Sequence, residues 1–243
     1  AGMADDGISL AQGGSGAIAF AEAVAVYLAF AVDRASDAWS VVTSWIPQRD
    51  TIRNTFSRQA IPMFWDFVEA NPFCNSTGNW NAMIEWIYKV IDKLPVINQL
   101  INHTPSAQSH TLVDYIQQAD ARTQAISLNK VVSTDPPYYD NVPFADLSDF
   151  FYVWLRHNLR FIYSNLFNTI AVPKSEELVV VSHRQGKKAE AEQFFLHGMT
   201  EAMRQMATQA HPAFPVTIYY AFKQAENEEA GTVSTGWETF LQA

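Results

Sequence analysis

Val131-Val132-Ser133-Thr134-Asp135-Pro136-Pro137-Tyr138-Tyr139-Asp140-Asn141 is the stretch on which the fold of this chain depends. The residues from 129 to 134 include a short β-branched run bounded by turn formers, which predicts a buried strand. The two prolines have no N–H to give to a sheet, so the strand must end at Asp135. A carboxylate, two rigid backbone carbonyls and an aromatic ring therefore follow the carboxyl end of a strand, where open α/β sheets bind ligands.

The tetrad Asp135-Pro136-Pro137-Tyr138 resembles the catalytic motif of amino-group DNA methyltransferases, which methylate the exocyclic amine of adenine or cytosine. The lone pair of such an amine is delocalised into the ring, which makes it a poor nucleophile. The Asp135 carboxylate and the Pro136 carbonyl would accept the amine hydrogens and favour attack on a sulfonium methyl, while the prolines hold both acceptors in place beforehand. Tyr138 would stack on a base flipped out of the duplex, which is worth roughly 1–3 kcal/mol.

The tetrad alone is also typical of a proline-rich turn whose Asp caps the next helix. The longer stretch 135–156, however, closely resembles a family of large prokaryotic adenine-specific DNA methylases that carry a domain of unknown function, some of them in anti-phage loci. Further matching segments are 53–62, 65–66, 71–73, 173–178 and 219–224. The resemblance covers most of the chain. It implies a partial class I (Rossmann-like) methyltransferase sheet, DNA as substrate, S-adenosylmethionine as cofactor, and a role in restriction–modification or anti-phage defence.

The charge of the chain is unusual for a protein that binds DNA on its own. The 243 residues are 48% hydrophobic and carry a net charge of −9, enough apolar sequence for a sizeable core. Residues 1–110 hold 6 basic and 10 acidic residues, and residues 111–243 hold 10 and 15. Neither part is basic, so the electrostatic footprint of a complete DNA binder is missing. The catalytic motif is unaffected, because it needs an acid.

The single cysteine, Cys74, excludes a disulfide framework and fits a reducing cytoplasm. It follows Phe73, whereas ring-carbon cytosine methylation resembles catalysis through a Pro-Cys pair, so we interpret Cys74 as a packing residue. The apolar run 17–32 is interrupted by Glu22 and is shorter than the ~20 residues that span a bilayer, which predicts a buried helix and no membrane partner. The six histidines show no metal-ligand spacing, so no metal is expected.

The periodicity of apolar residues predicts a mainly helical part over residues 1–100 and a partial α/β methyltransferase domain over residues 101–243. Gly13-Gly14-Ser15-Gly16 is interpreted as a helix entry, because no strand precedes it. The loop predicted over 167–188 could close over substrate. Helices are predicted over 15–38, 50–70 (kinked near Pro62), 79–94, 147–159 and 189–210, and strands over 112–117, 129–134 and 215–222, the last beside the catalytic strand with a right-handed crossover.

The other candidate site residues each have a structural alternative. By resemblance, Asp120 with Ala121 would face the cofactor adenine, although Asp120 could equally cap a helix. Tyr139 and Asn141 lie close enough to the tetrad to contact the flipped nucleotide, with capping as the alternative for Asn141. Arg53 and Arg58 could touch DNA phosphates or form part of a solvated, ion-paired surface.

Members of this family hold S-adenosylmethionine with a glycine-rich loop after the first strand, upstream of the matching region. No strand–loop–helix of this kind is found here. We therefore expect a fragment that depends on the remainder of the parent methyltransferase and is inactive alone. A different class remains open: a non-catalytic nucleic-acid-binding or assembly module that retains the tetrad as architecture.

Overall fold

The computed structural model describes residues 2–58, 60–61, 63, 65–66, 68–93, 117–139, 142–221 and 235–243. The chain divides into two compact units, which are described separately. The first comprises Ala1–Ser106 with Ala145–Val172, and the second comprises Ala107–Phe144 with Pro173–Ala243. Residues 145–172 thus group with the amino-terminal residues, although the sequence assigned them to the α/β part.

The first unit is built on two helices that the sequence predicted. The predicted burial of the first helix is wrong, because its small residues are buried while Phe20, Val24 and Phe30 are exposed. Helix α1 spans Ala17–Trp39 and helix α2 spans Trp80–Lys93. A 3₁₀ turn at Leu10–Gln12 and the glycines after it lead into α1, which confirms the predicted helix entry. Small side chains let the two helices approach, since Ala31 and Ala35 form the core with Met83.

The apolar stripe of α2 is only half buried, so its prediction as core was partly wrong. Met83 is buried and Ile87 packs against it, but Ile84, Val90 and Ile91 are exposed. Leu94 lies outside the described residues.

The predicted helix over residues 50–70 is wrong. Strand β1 (Ser44–Ile46) pairs with strand β2 (Thr51–Arg53) in an antiparallel hairpin, with Trp45 opposite Ile52. Asp50 takes a left-handed conformation (φ 50°) at the end of the turn, and the β-branched pair Thr51-Ile52 favours a strand directly after it. Beyond the hairpin, the backbone carbonyl of Asp37 accepts both the N–H and the hydroxyl of Thr55 at 2.9 and 2.8 Å. These two hydrogen bonds hold the residues around Thr55 in a non-helical conformation. Pro62 lies outside the described residues.

Helix α3 spans Phe144–Leu159 and confirms the helix predicted after the tetrad, beginning three residues earlier than expected. Phe150 and Phe151 pack on Phe56, with ring centroids 5.3 and 5.1 Å apart. In the following loop, the carbonyl of Thr169 accepts hydrogen bonds from Tyr152 Oη and Arg156 Nε at 3.0 and 2.7 Å.

The second unit contains a short parallel strand pair. Strand β3 (Ser133–Thr134) pairs with strand β4 (Thr217–Ile218), so the predicted pairing of the catalytic strand with the later strand is confirmed. Each strand has two residues rather than the six or eight predicted. The strand is also not fully buried as predicted: exposure alternates along it, and Val131 is exposed while Val132 is half-buried. One face meets water, so the apolar run did not indicate complete burial.

Helix α5 (Lys188–Gln209) supplies the core of this unit and confirms the helix predicted over 189–210. Phe195 and Met199 pack with Tyr139 and Leu178. Gly198 makes room for this packing, because a Cβ there would lie 2.3 Å from Leu178 Cδ2. The segment before α5 is mostly loop, as predicted, interrupted by the short helix α4 (Ser182–Gln185), and helix α6 (Thr235–Gln242) ends the chain.

The described chain is therefore a mixed α/β protein with small sheets. The Rossmann-like sheet stays a prediction, and the strand predicted over 112–117 lies almost entirely outside the described residues. None of the helices that the structure describes has the length and apolarity needed to cross a membrane. Within the same residues, no group of three or more His, Cys, Asp or Glu side chains could hold a metal ion.

Candidate functional site

The tetrad forms an extended turn directly after β3. The Asp135 side chain is exposed, and its Oδ1 atom accepts a hydrogen bond of 2.9 Å from the hydroxyl of Tyr138. This hydrogen bond stabilises the protonated phenol and holds the pKa of Tyr138 above its ordinary value of 10.0. The tyrosine therefore remains a donor at neutral pH and restrains the carboxylate.

A second tyrosine completes the site from the neighbouring strand. The ring of Tyr138 meets the ring of Tyr220 edge-on, with centroids 5.4 Å apart and planes at 83°. Tyr220 in turn stacks on Phe240 of α6 at 3.9 Å and 16°. Parallel strands end at the same edge of a sheet, so the residues that follow β3 and β4 emerge together. Tyr220 was not among the predicted site residues, although the Tyr219-Tyr220 pair after the second predicted strand was a signal in the sequence.

Tyr139 is buried and holds the Asp135 turn against the core of the second unit. Its side chain is only 5% exposed, and its hydroxyl donates a 2.7 Å hydrogen bond to Glu192 Oε1. Its backbone N–H donates to Tyr220 Oη at 3.1 Å, and its carbonyl accepts the N–H of Val180 at 2.7 Å. The structure thus buries Tyr139 rather than presenting it to a nucleotide, so this residue acts on the site through the turn that it holds.

Asp120 is not brought to the Asp135 turn. Its carboxylate is bound by Arg122, with an Nη2–Oδ2 distance of 2.6 Å, and this hydrogen bonding lowers the pKa of Asp120. Residues 121–123 form a turn, so Asp120 does not cap a helix either. Gln124 directly follows this turn, and its carbonyl accepts a hydrogen bond of 2.6 Å from Gln205 near the end of α5.

The turn that follows Asp120 lies at the end of the strand pair opposite to the Asp135 turn. Asn129 donates its N–H to the carbonyl of Gln209 at 2.8 Å, and the Gln209 side chain also donates to the carbonyl of Gln124. Five residues lie between Asn129 and Asp135, and an extended chain of this length spans up to about 20 Å. Asp120 and Ala121 therefore lie near the amino end of β3, whereas the tetrad lies at its carboxyl end.

Of the remaining predicted residues, two lie in the first unit and one lies outside the described residues. Arg53 ends β2 and Arg58 forms a bridge with Ala60, both exposed in the first unit. Their predicted contact with phosphate stays a prediction. Asn141 lies outside the described residues. Cys74 is half-buried, as expected for a packing residue, with its thiol 3.0 Å from the carbonyl of Asn71.

The described residues do not fit S-adenosylmethionine by themselves. No strand–glycine loop–helix unit borders β3 or β4 in the described ranges. The Gly13–Gly16 segment follows a 3₁₀ turn instead, and a Cβ at Gly14 would lie 2.0 Å from the carbonyl oxygen of Ile8, so these glycines serve close backbone packing.

No known protein family, no curated protein and no solved structure matches this chain.

Proposed function

We propose that this chain is the catalytic-motif portion of a DNA methyltransferase that acts on the exocyclic amine of adenine in the prokaryotic cytoplasm. The observation that supports this most is the exposed Asp135 carboxylate beside the Pro136 carbonyl. Tyr138 occupies only Oδ1 of Asp135, and among the described residues neither Oδ2 nor the Pro136 carbonyl accepts a hydrogen bond. Two acceptors on adjacent residues match the two hydrogens of an aromatic amine. The choice of adenine over cytosine rests on the resemblance.

In this proposal, the two acceptors act before and during the transfer. Binding the amine hydrogens draws the nitrogen lone pair out of the ring and toward tetrahedral geometry, while the prolines prevent the acceptors from relaxing. The Tyr138 hydroxyl keeps the Asp135 carboxylate oriented. The partly exposed Tyr138 ring receives the flipped base, supported from the side by Tyr220.

S-adenosylmethionine would supply the sulfonium methyl. Because the described residues lack a loop that could hold it, the proposal assigns cofactor binding to the remainder of the parent methyltransferase.

The test is methyl transfer by the complete parent protein to duplex DNA, measured with a labelled methyl group. We expect Asp135→Asn to lower the rate by at least about 100-fold, since one preorganised group is typically worth 10²–10³ in rate. Asp92→Asn, an exposed acid on α2, is the matched control and should leave the rate unchanged. An Asp135→Asn protein that folds and methylates at the normal rate would refute the proposal.

The second candidate, a non-catalytic nucleic-acid-binding or assembly module, is favoured by the lack of a cofactor loop in the described ranges. Within this candidate, the net charge of −9 favours assembly with a protein partner over nucleic-acid binding. Calorimetry with the 243-residue chain and S-adenosylmethionine addresses this candidate. We expect weak or no binding by this chain alone. Tight binding would place the cofactor site inside the chain, whereas a parent protein that binds DNA without methylating it would support the module.

A further inference from the structure

The carboxyl end of α3 carries a basic cavity in a chain that is acidic overall. The cavity has a volume of about 330 Å³, which is within the range of small-molecule sites. Its walls come from α3 and the loop after it: Val153, Trp154, Arg156, His157, Arg160 and Ile170. Two arginines and a histidine within five residues contrast with the net charge of −9.

Within the described ranges, no acidic side chain pairs with either arginine of this cavity. Arg156 Nε donates to the carbonyl of Thr169 at 2.7 Å, which fixes the guanidinium while its Nη groups make no hydrogen bond within the described residues. The Arg160 guanidinium lies 4.6 Å above the ring of Phe161. Neither arginine forms an ion pair in the part of the chain that the structure describes. Basic residues at a helix end do complement the helix dipole, but that role does not require a cavity or a fixed guanidinium.

Two exposed aromatic rings lie in or beside the cavity, next to the arginines. Trp154 is 43% exposed within the cavity, and Phe161 is 80% exposed beside it. Cations that track phosphates, next to rings on which bases stack, are the two elements of single-stranded nucleic-acid sites. An acidic peptide would use the charges but not the rings.

We infer that this cavity binds an unpaired nucleotide of a DNA strand, with Arg156 and Arg160 on the phosphates and Trp154 stacked on the base. The choice of DNA rests on the proposed function. The cavity itself does not include the tetrad, so it is a separate nucleic-acid contact.

The test uses the 243-residue chain and a fluorescent twelve-nucleotide single-stranded oligothymidylate, with anisotropy as the readout. Arg156→Gln/Arg160→Gln should weaken binding about tenfold or more and reduce the slope of log K against log salt by about 1.4, at ~0.7 per lost contact with single-stranded phosphate. Trp154→Ala should weaken it between about fivefold and about 150-fold, whereas Trp154→Phe retains a ring and most of the affinity. Lys130→Gln/Arg204→Gln removes two exposed positive charges outside the cavity, so it is the control for net charge and should have little effect.

Three outcomes would overturn the inference: no binding of the oligonucleotide by the wild-type chain, an equal loss with Lys130→Gln/Arg204→Gln, or no effect of Trp154→Ala combined with full competition by polyglutamate. The last result would indicate an acidic protein partner. Failure here is distinguishable from failure of the proposed function. If Asp135→Asn abolishes methylation while the arginine variants bind normally, only the cavity inference is lost. If the arginine and tryptophan variants lose binding while the parent protein methylates nothing, only the proposed activity is lost.

Discussion

Tyr139 and Glu192, which are 53 residues apart in sequence, meet inside the second unit through a 2.7 Å hydrogen bond from the phenol to the carboxylate. The bond joins the turn that carries Asp135 to the first turns of α5. Because the Tyr139 ring also packs edge-on against the buried Phe195, the turn is held by both polar and apolar contacts.

Removing the Tyr139 hydroxyl should destabilise the protein. Hydrogen bonds to charged groups contribute about 1.5–3 kcal/mol, and Glu192 keeps some access to water, so we expect Tyr139→Phe to lower the free energy of unfolding by about 1–2 kcal/mol. Urea denaturation followed by circular dichroism measures this. Tyr219→Phe, at a 62% exposed ring, serves as the control and should change nothing. Equal stability of the two variants would show that the Tyr139–Glu192 bond does not hold the turn.

The titration of Tyr138 should report its bond to Asp135. The pKa of Tyr138 is raised above 10.0 first by this hydrogen bond and then by desolvation and the nearby charge. We expect Asp135→Asn to shift its ionisation to lower pH, measured by phenolate absorbance as the difference from the Tyr138→Phe protein. Asp120→Asn should leave the curve in place, because Asp120 is bound to Arg122. An unchanged curve for Asp135→Asn would mean that the two side chains do not interact in solution.

Asp33 on α1 should make stability depend on pH. Burial raises its pKa from 3.8 to about 6, and its buried Oδ1 atom has no hydrogen-bond partner among the described residues. The folded protein therefore binds this proton more tightly than the unfolded chain does. The free energy of unfolding should fall as the pH rises from about 4 to about 6 and stay reduced above that range.

Asp33→Asn removes the free-energy cost of holding a charged carboxylate in this half-buried position. Since the side chain is only half-buried, we expect a gain of about 1 kcal/mol at neutral pH that disappears near pH 4. Denaturation series at several pH values, with the exposed Asp92→Asn as reference, measure this difference. A gain that is independent of pH would assign the effect to something other than ionisation.

Arg184 and Glu177 form an ion pair of 2.6 Å whose side chains are only 10% and 14% exposed. Arg184→Met would leave the Glu177 carboxylate without this partner, and we expect a loss of about 2–4 kcal/mol in the free energy of unfolding. Adding Glu177→Gln should restore part of the loss. The matched surface change is Lys89→Met, which breaks an exposed pair with Glu85 and should cost less than about 1 kcal/mol. Similar losses at both sites would indicate that the Arg184–Glu177 pair is effectively solvated.

The four long helices, α1, α2, α3 and α5, were predictable because each one has a sustained apolar pattern. Met83 in α2, and Phe195 with Met199 in α5, follow this period. The hairpin at 44–53 was missed because its strands are three residues long, too short for alternation to outweigh a helical interpretation. The strand before Asp135 was located correctly but judged too long and too buried, because a β-branched run does not reveal how many residues will find a partner.

The tetrad could be found from local sequence, but its surroundings could not. Tyr220 reaches Tyr138 through the pairing of Thr134 with Ile218, which is a tertiary contact. Glu192 likewise lies beneath the turn only once α5 has packed. By contrast, Asp120 met the sequence pattern for a strand-end acid, yet hydrogen bonds from Gln205 and Gln209 hold its turn at the other end of the strand.

The register of the two-residue pairing between β3 and β4 determines which tyrosine lies beside Tyr138. Side chains alternate between faces along a strand, so a slip of one position would exchange Tyr219 for Tyr220 beside Tyr138. Length changes in the chain that connects the strands leave this parity intact, whereas a single residue added between Thr217 and Tyr220 reverses it. Related proteins that keep this site should therefore vary freely in the length of the intervening segment but never in the two short intervals from Ser133 to Tyr138 and from Thr217 to Tyr220.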